Sequence, residues 1–125
     1  MPDVAGKPRV LIVDDERVIA DTLALILAKN GYATSVAYSG EEAVRLAEMK
    51  PPDILITDVV MVGMTGIEAA IAICRHSPQC RVILISGQVG THELLRQVAS
   101  RGYNFDVLLK PVHPQTLLQQ LQKSS

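Results

Sequence analysis

The sequence predicts a three-layer α/β domain, a parallel sheet covered by helices on both faces, and three observations point to it. Five short aliphatic segments alternate with five stretches of helical periodicity. The aliphatic segments are apolar throughout rather than at every second position, as strands buried on both faces are. A chain of 125 residues, 48% of them apolar, can build one core and is too short to split into two.

Arg9 to Val13 is the first aliphatic run, and it stops abruptly at Asp14, Asp15 and Glu16. Ile19, Thr22, Leu23, Ile26 and Leu27 follow at three- and four-residue steps, a helical stripe that Asn30-Gly31 closes. Ala33 to Tyr38 has strand composition, and Ser39 followed by Glu42 has the spacing of a capping box for a helix from Glu41 to Met49, ended by Pro51-Pro52. Ile54 to Thr57 repeats the first pattern and delivers Asp58 onto a loop that Gly63 and Gly66 are expected to make flexible. Ile67, Ala70, Ile71 and Cys74 mark the third helix, halted near Pro78. Arg81 to Ile85 is the fourth strand, ending in Ser86-Gly87. Leu94, Leu95 and Val98 mark the fourth helix, closed by Gly102, and are read as core together with Leu117 and Leu118. Val107 to Leu109 is the fifth strand, which runs into Lys110-Pro111, and Leu117, Leu118 and Leu121 form the last helical stripe.

Composition excludes several classes. Twelve basic against 13 acidic residues leave a net charge of -1, with no basic block for a nucleic-acid backbone, so direct nucleic-acid binding is not expected. The longest apolar runs, Leu23 to Ala28 and Ala69 to Cys74, fall far short of the roughly 20 residues that span a bilayer. Met1 to Pro8 has no apolar stretch resembling a signal or transit sequence, and a cytoplasmic location is expected. Cys74 and Cys80 are too few for a disulfide framework and read as packing residues, Cys74 in register with Ile67, Ala70 and Ile71. His76, His92 and His113 lack the rhythm of metal ligands and read as surface residues.

Right-handed crossovers place every carboxyl strand end on one edge of a parallel sheet, where ligands bind at the switch point. Those ends carry Asp14 and Asp15, Asp58, Ser86 and Lys110. Each alone has an ordinary explanation as a solvated acid, a turn hydroxyl or a loop lysine; their coincidence at four strand ends is what points to a site. Three clustered carboxylates would raise one another's pKa unless a hard cation lay among them, and oxygen-only ligands suit magnesium, manganese or calcium. Magnesium commonly joins one or two carboxylates to a substrate phosphate, which points to phosphoryl chemistry with Lys110 meeting a phosphoryl oxygen.

With those residues in view, the chain resembles the receiver domain of two-component response regulators over essentially its whole length. The matching residues are Asp14-Asp15 in Leu-Ile-Val-Asp-Asp-Glu, Asp58 in Ile-Leu-Ile-Thr-Asp, Met61 and Gly66 beyond it, Ser86-Gly87 and Lys110-Pro111. The resemblance implies the flavodoxin-like (CheY-like) fold, with sheet order 2-1-3-4-5 and five helices, in one domain over 1–125 with flexible ends at 1–8 and 123–125. It implies that Asp58 accepts a phosphoryl group from a phosphohistidine of a sensor histidine kinase or histidine phosphotransfer protein. It further implies that Asp15 binds magnesium (or manganese) directly, Asp14 through water, and Val60 through its backbone carbonyl. Lys110 and Ser86 would contact the transferred group, and the Gly87 amide would approach its oxygens. Phosphorylation in such domains shifts the population toward a state that binds an output partner.

Three departures bear on that reading. Val62 stands where the family's loop usually carries proline, so a looser loop is expected. Val107 stands where the fifth strand usually carries an aromatic residue, so aromatic switching is not carried over, and neither Tyr103 nor Phe105 has the register to replace it. Val60 and Gln88, two positions after Asp58 and Ser86, are expected to tune acyl-phosphate lifetime. Val18 and Leu25, off the first helix's core stripe, are expected to help select the kinase. A rival from another class, the haloacid-dehalogenase type of hydrolase, needs a second Asp two places after its nucleophile; Glu16 follows Asp14 and Val60 follows Asp58 at that spacing. A degenerate receiver serving only as a binding module is disfavoured by Asp15, Asp58 and Lys110.

Overall fold

A computed structural model describes residues 6–87 and 91–123, apart from the side chains of Thr91 and Leu94. Five strands alternate with five helices: β1 (Arg9–Val13), α1 (Arg17–Lys29), β2 (Ala33–Ala37), α2 (Gly40–Met49), β3 (Ile54–Asp58), α3 (Gly66–His76), β4 (Arg81–Ser86), α4 (Thr91–Ser100), β5 (Asp106–Leu109) and α5 (Pro114–Gln122). All pairings are parallel and the strand order is 2-1-3-4-5, so the fold is flavodoxin-like as expected. The chain turns back after β2 and continues on the other side of β1, which puts the switch point at the ends of β1 and β3. The ends expected to be flexible fall partly outside the described residues, as do Gln88 and the side chain of Leu94.

Strand alternation divides the core into two layers. Leu11, Val13, Leu55, Val82 and Leu84 face the side covered by α2, α3 and Val98 of α4. Val10, Ile12, Ile54, Ile56, Ile83 and Ile85 face α1 and α5, where Leu117, Leu118 and Leu121 close the layer. Burial on both faces explains why β1, β3 and β4 are aliphatic without alternation. The edge strands β2 and β5 are less buried, and their sequences are more mixed.

Several local features differ from expectation. On α1 the buried residues are Ala20, Ala24 and Leu27, with Leu23 and Ile26 partly buried, while Ile19 and Thr22 are exposed. Two of the three buried positions are alanines, which carry little hydrophobic signal. Gly63 and Gly66 have steric roles in the β3–α3 loop. Gly66 opens α3 against the Asp58 carbonyl, where any Cβ would collide with it, and its N–H donates to the Val59 carbonyl at 2.9 Å. Thr65 and Glu68 form a reciprocal capping box at the start of α3, a motif that the neighbouring glycines mask in the sequence. At α2, Ser39 Oγ accepts from the Glu42 N–H at 3.0 Å, and Glu42 Oε1 accepts from the Tyr38 N–H at 2.7 Å. His113 caps α5, with Nδ1 accepting from the Gln115 N–H at 3.1 Å.

Candidate functional site

The sheet register brings the chemistry-bearing residues together. Val13 pairs with Thr57, so Asp14 leaves β1 beside Asp58; Asp58 pairs with Ile85, so Ser86 is next; and Ser86 pairs with Leu109, so Lys110 follows. Four groups distant in sequence thus meet at one rim because each sits at or just past the end of an aliphatic strand.

Asp58 is 5% exposed and Asp14 6%, whereas Asp15 is exposed. One carboxylate oxygen from each of these three lies within 4.8 Å of the others. Lys110 Nζ donates to Asp58 Oδ2 at 2.8 Å. Asp14 Oδ1 accepts from the Glu16 N–H at 2.9 Å, which orients the side chain at the turn out of β1. Burial pushes the Asp14 carboxyl above its usual range, the Glu16 N–H opposes this, and the neighbouring Asp58 charge adds to it. The hydrogen bond to Asp58 moves Lys110 the other way from what burial would do, to a raised pKa that keeps the ammonium charged.

Ser86 is buried on the far side of Asp58, and its carbonyl accepts from the Lys110 N–H at 2.9 Å, which ties the end of β5 to the end of β4. Gly87 is exposed; a Cβ there would meet Lys110 at ordinary van der Waals distance, 3.6 Å, so packing alone does not demand glycine. Val60 lies in the loop beyond Asp58 with its side chain half-exposed. Val62 is 84% exposed, yet where a looser loop was expected its N–H donates to Asp15 Oδ2 at 3.2 Å. That anchor needs a residue with an N–H, and was legible only as the absence of proline. The donor set fits a hard divalent cation: three carboxylates converge with a single ammonium, and all three offer oxygen.

The apolar neighbours are also placed. A cleft of about 590 Å³ opens beside the carboxylates between Ile19 and Leu23 of α1 and Lys110, Pro111 and Val112 after β5. Val18 and Leu25 project from α1 at 78% and 64% exposure. Val107 is half-buried in β5, and the rings of Tyr103 and Phe105, tilted at 38° with centroids 5.7 Å apart, pack against the same core ahead of it in the chain. Both cysteines are buried, and the three histidines lie at the surface. Among the described residues, no helix is long and apolar enough to cross a membrane.

A parallel sheet of this order with an acidic trio and a lysine at its carboxyl edge defines a class, and comparison with known proteins agrees. The model of the response regulator receiver domain matches residues 10–122, and the chain belongs to that family of two-component signalling domains. Over 118 residues it is 33% identical to the chemotaxis protein CheY of Thermotoga maritima, covering 94% of this chain and 97% of that protein. It is 34% identical over 118 residues to the uncharacterized transcriptional regulatory protein YesN of Bacillus subtilis, covering 92% of this chain. The chain spans 32% of the length of that relative and 46% of the positive alginate biosynthesis regulatory protein of Pseudomonas aeruginosa. The solved structure of the chemotaxis protein CheY4 of Vibrio cholerae superposes with a TM-score of 0.82 at 30% identity, covering 93% of this chain and 97% of that one.

Proposed function

We propose that the domain receives a phosphoryl group on Asp58 from the phosphohistidine of a histidine kinase or phosphotransfer protein, and that the acyl phosphate is its signal. The observation that carries this reading is the pairing of a buried carboxylate, Asp58, with Lys110 at 2.8 Å inside a group of three acids. Attack by an Asp58 oxygen on phosphorus forms the P–O bond as the P–N bond to imidazole breaks, and the imidazole leaves with the electron pair. Lys110 offsets charge first on Asp58 and then on a phosphoryl oxygen. Ser86 and the Gly87 amide are assigned to the remaining oxygens. Asp14, Asp15, Asp58 and the Val60 carbonyl would hold magnesium, or manganese in its place, which when bound supplies positive charge to the three acids and the incoming phosphoryl group.

The domain would catalyse only its own phosphorylation and dephosphorylation, in the cytoplasm. Val18 and Leu25, exposed on α1, are the apolar contacts proposed for selecting the donor. Charged substitutions there should slow transfer from a kinase and leave transfer from acetyl phosphate unchanged. Val60 is proposed to influence acyl-phosphate lifetime through water access.

Incubation with acetyl phosphate and magnesium, followed by intact mass, tests the proposal. A phosphate-sized gain is expected in the wild type and not in Asp58→Asn; a gain of equal yield in that variant would place the acceptor elsewhere.

A further inference from the structure

Among the described residues, two carboxylates from other elements anchor the backbone of the β3–α3 loop, residues 59–65. The Val62 N–H donates to Asp15 Oδ2 at 3.2 Å, and the Met64 N–H donates to Glu41 Oε2, also at 3.2 Å. Gly63 lies between them at φ +81°, and a Cβ on it would sit 2.9 Å from Glu41 Oε2. Glycine here both permits the turn and leaves room for the Glu41 carboxylate. Glu41 belongs to the first turn of α2, which Ser39 caps, and Gly40 of the same turn packs against the Met64 side chain. The loop is therefore strung between the β1–α1 turn, which supplies one of the three acids, and the start of α2, which supplies none of them.

From this geometry we infer that Glu41 is a positioning residue for divalent-cation binding: by tethering Met64 it holds the loop in the course that sets the Val60 carbonyl and the Asp15 carboxylate at one rim. The inference rests on the reading that Asp14, Asp15, Asp58 and Val60 hold the ion. An untethered loop must be ordered when the ion binds, and that ordering lowers affinity without removing a ligand. The coupling is reciprocal: if the tether strengthens ion binding by some factor, the ion strengthens the tether by the same factor. The start of α2 thereby reports on occupancy of a site to which it contributes no ligand.

A magnesium chloride titration of the full chain, followed by amide NMR shifts, measures the affinity, and hydrogen exchange at the Met64 amide with and without saturating magnesium measures the tether. Glu41→Ala is expected to weaken magnesium binding about fivefold, the equivalent of one solvent-exposed, charge-assisted hydrogen bond, whereas Glu41→Gln, which keeps an acceptor oxygen, stays within about twofold of wild type. In the wild type, magnesium should slow Met64 exchange by about the same fivefold factor, a readout that needs no variant. Unchanged affinity in Glu41→Ala, equal weakening in both variants, which would mean that charge alone acts, or Met64 exchange indifferent to magnesium would each overturn the inference while leaving the ion site standing. No saturable shift in the wild type would overturn the ion site and the inference with it.

Discussion

Asp14 is the carboxylate whose charge the fold makes costly, because burial and the Asp58 charge both raise its pKa. The folded chain thus holds the Asp14 proton more tightly than the unfolded chain does. Stability from this group is complete below the unfolded value of 3.8 and is lost as pH rises through the raised folded value. Asp14→Asn should retain it at neutral pH. We expect the variant, without divalent cations, to be the more stable at pH 7, read as a higher melting temperature, with the gain vanishing in acid. Equal melting temperatures at pH 7 would show that Asp14 carries no such burden. Lys110 runs in the opposite sense: its raised pKa gives stability present below 10.5 that is lost as pH rises through the folded value. Its side chain is 36% exposed, so Lys110→Ala should cost only about 1 kcal/mol in denaturant melts despite leaving Asp58 unpaired. The polar residues that converge here were legible only together: each alone reads as a solvated acid, a turn hydroxyl or a loop lysine, and their coincidence at four strand ends marks the site. Of the anchors, the one on Asp15 showed only as the absence of proline at Val62 and the one on Glu41 not at all, because a backbone N–H donor leaves almost no mark on the sequence.

At the scale of elements, the end of α5 is fastened to the start of β4. The Arg81 guanidinium donates to the carbonyls of Gln120 at 2.7 Å, Lys123 at 3.0 Å and Leu121 at 3.3 Å, and pairs with Asp106 at 3.4 Å. It satisfies carbonyls at the end of a helix that has no basic residue of its own in its last turn. Arg81→Ala should destabilise the fold by about 2 kcal/mol and speed exchange of the α5 amides, with Arg81→Lys restoring only part because an ammonium lacks the planar fork. Equal denaturation midpoints for wild type and Arg81→Ala would refute the clasp. In the same melts Thr65→Ala should cost about 1 kcal/mol through loss of the α3 cap. The Ser39 and Thr65 caps share a three-residue spacing, yet only Ser39 stands out in the sequence, because Gly63 and Gly66 give the segment around Thr65 the composition of an open loop. The stripe on α1 departs from its hydrophobic pattern for a related reason. Ile19 dominates that pattern, but two of the three buried positions are Ala20 and Ala24, which carry little hydrophobic signal.

For the molecule as a whole, sheet order and the division of helices between two faces followed from strand-helix alternation and the family motifs, which is why they were readable without coordinates. The edge strands read less well: Tyr38 lies outside β2 and Asp106 inside β5, since pairing on one side only relaxes the demand for aliphatic residues. The two cysteines report on the integrity of the core. Burial pushes the Cys80 thiol up to about 12 and raises Cys74 as well, so neither should react with an alkylating reagent at pH 8 until the chain unfolds. Fast labelling of either in the native protein would show that the α3–β4 end of the core opens locally.

The most direct test of the account is to trap the phosphorylated domain with borohydride, which reduces an acyl phosphate to an alcohol, and to map the product by peptide mass. Conversion of Asp58 to homoserine, abolished by omitting the phosphodonor and sharply reduced in Lys110→Ala, is the result predicted from the 2.8 Å pairing of these two residues. Homoserine at position 14 or 15, or a phosphate that resists reduction on Ser86, would contradict it.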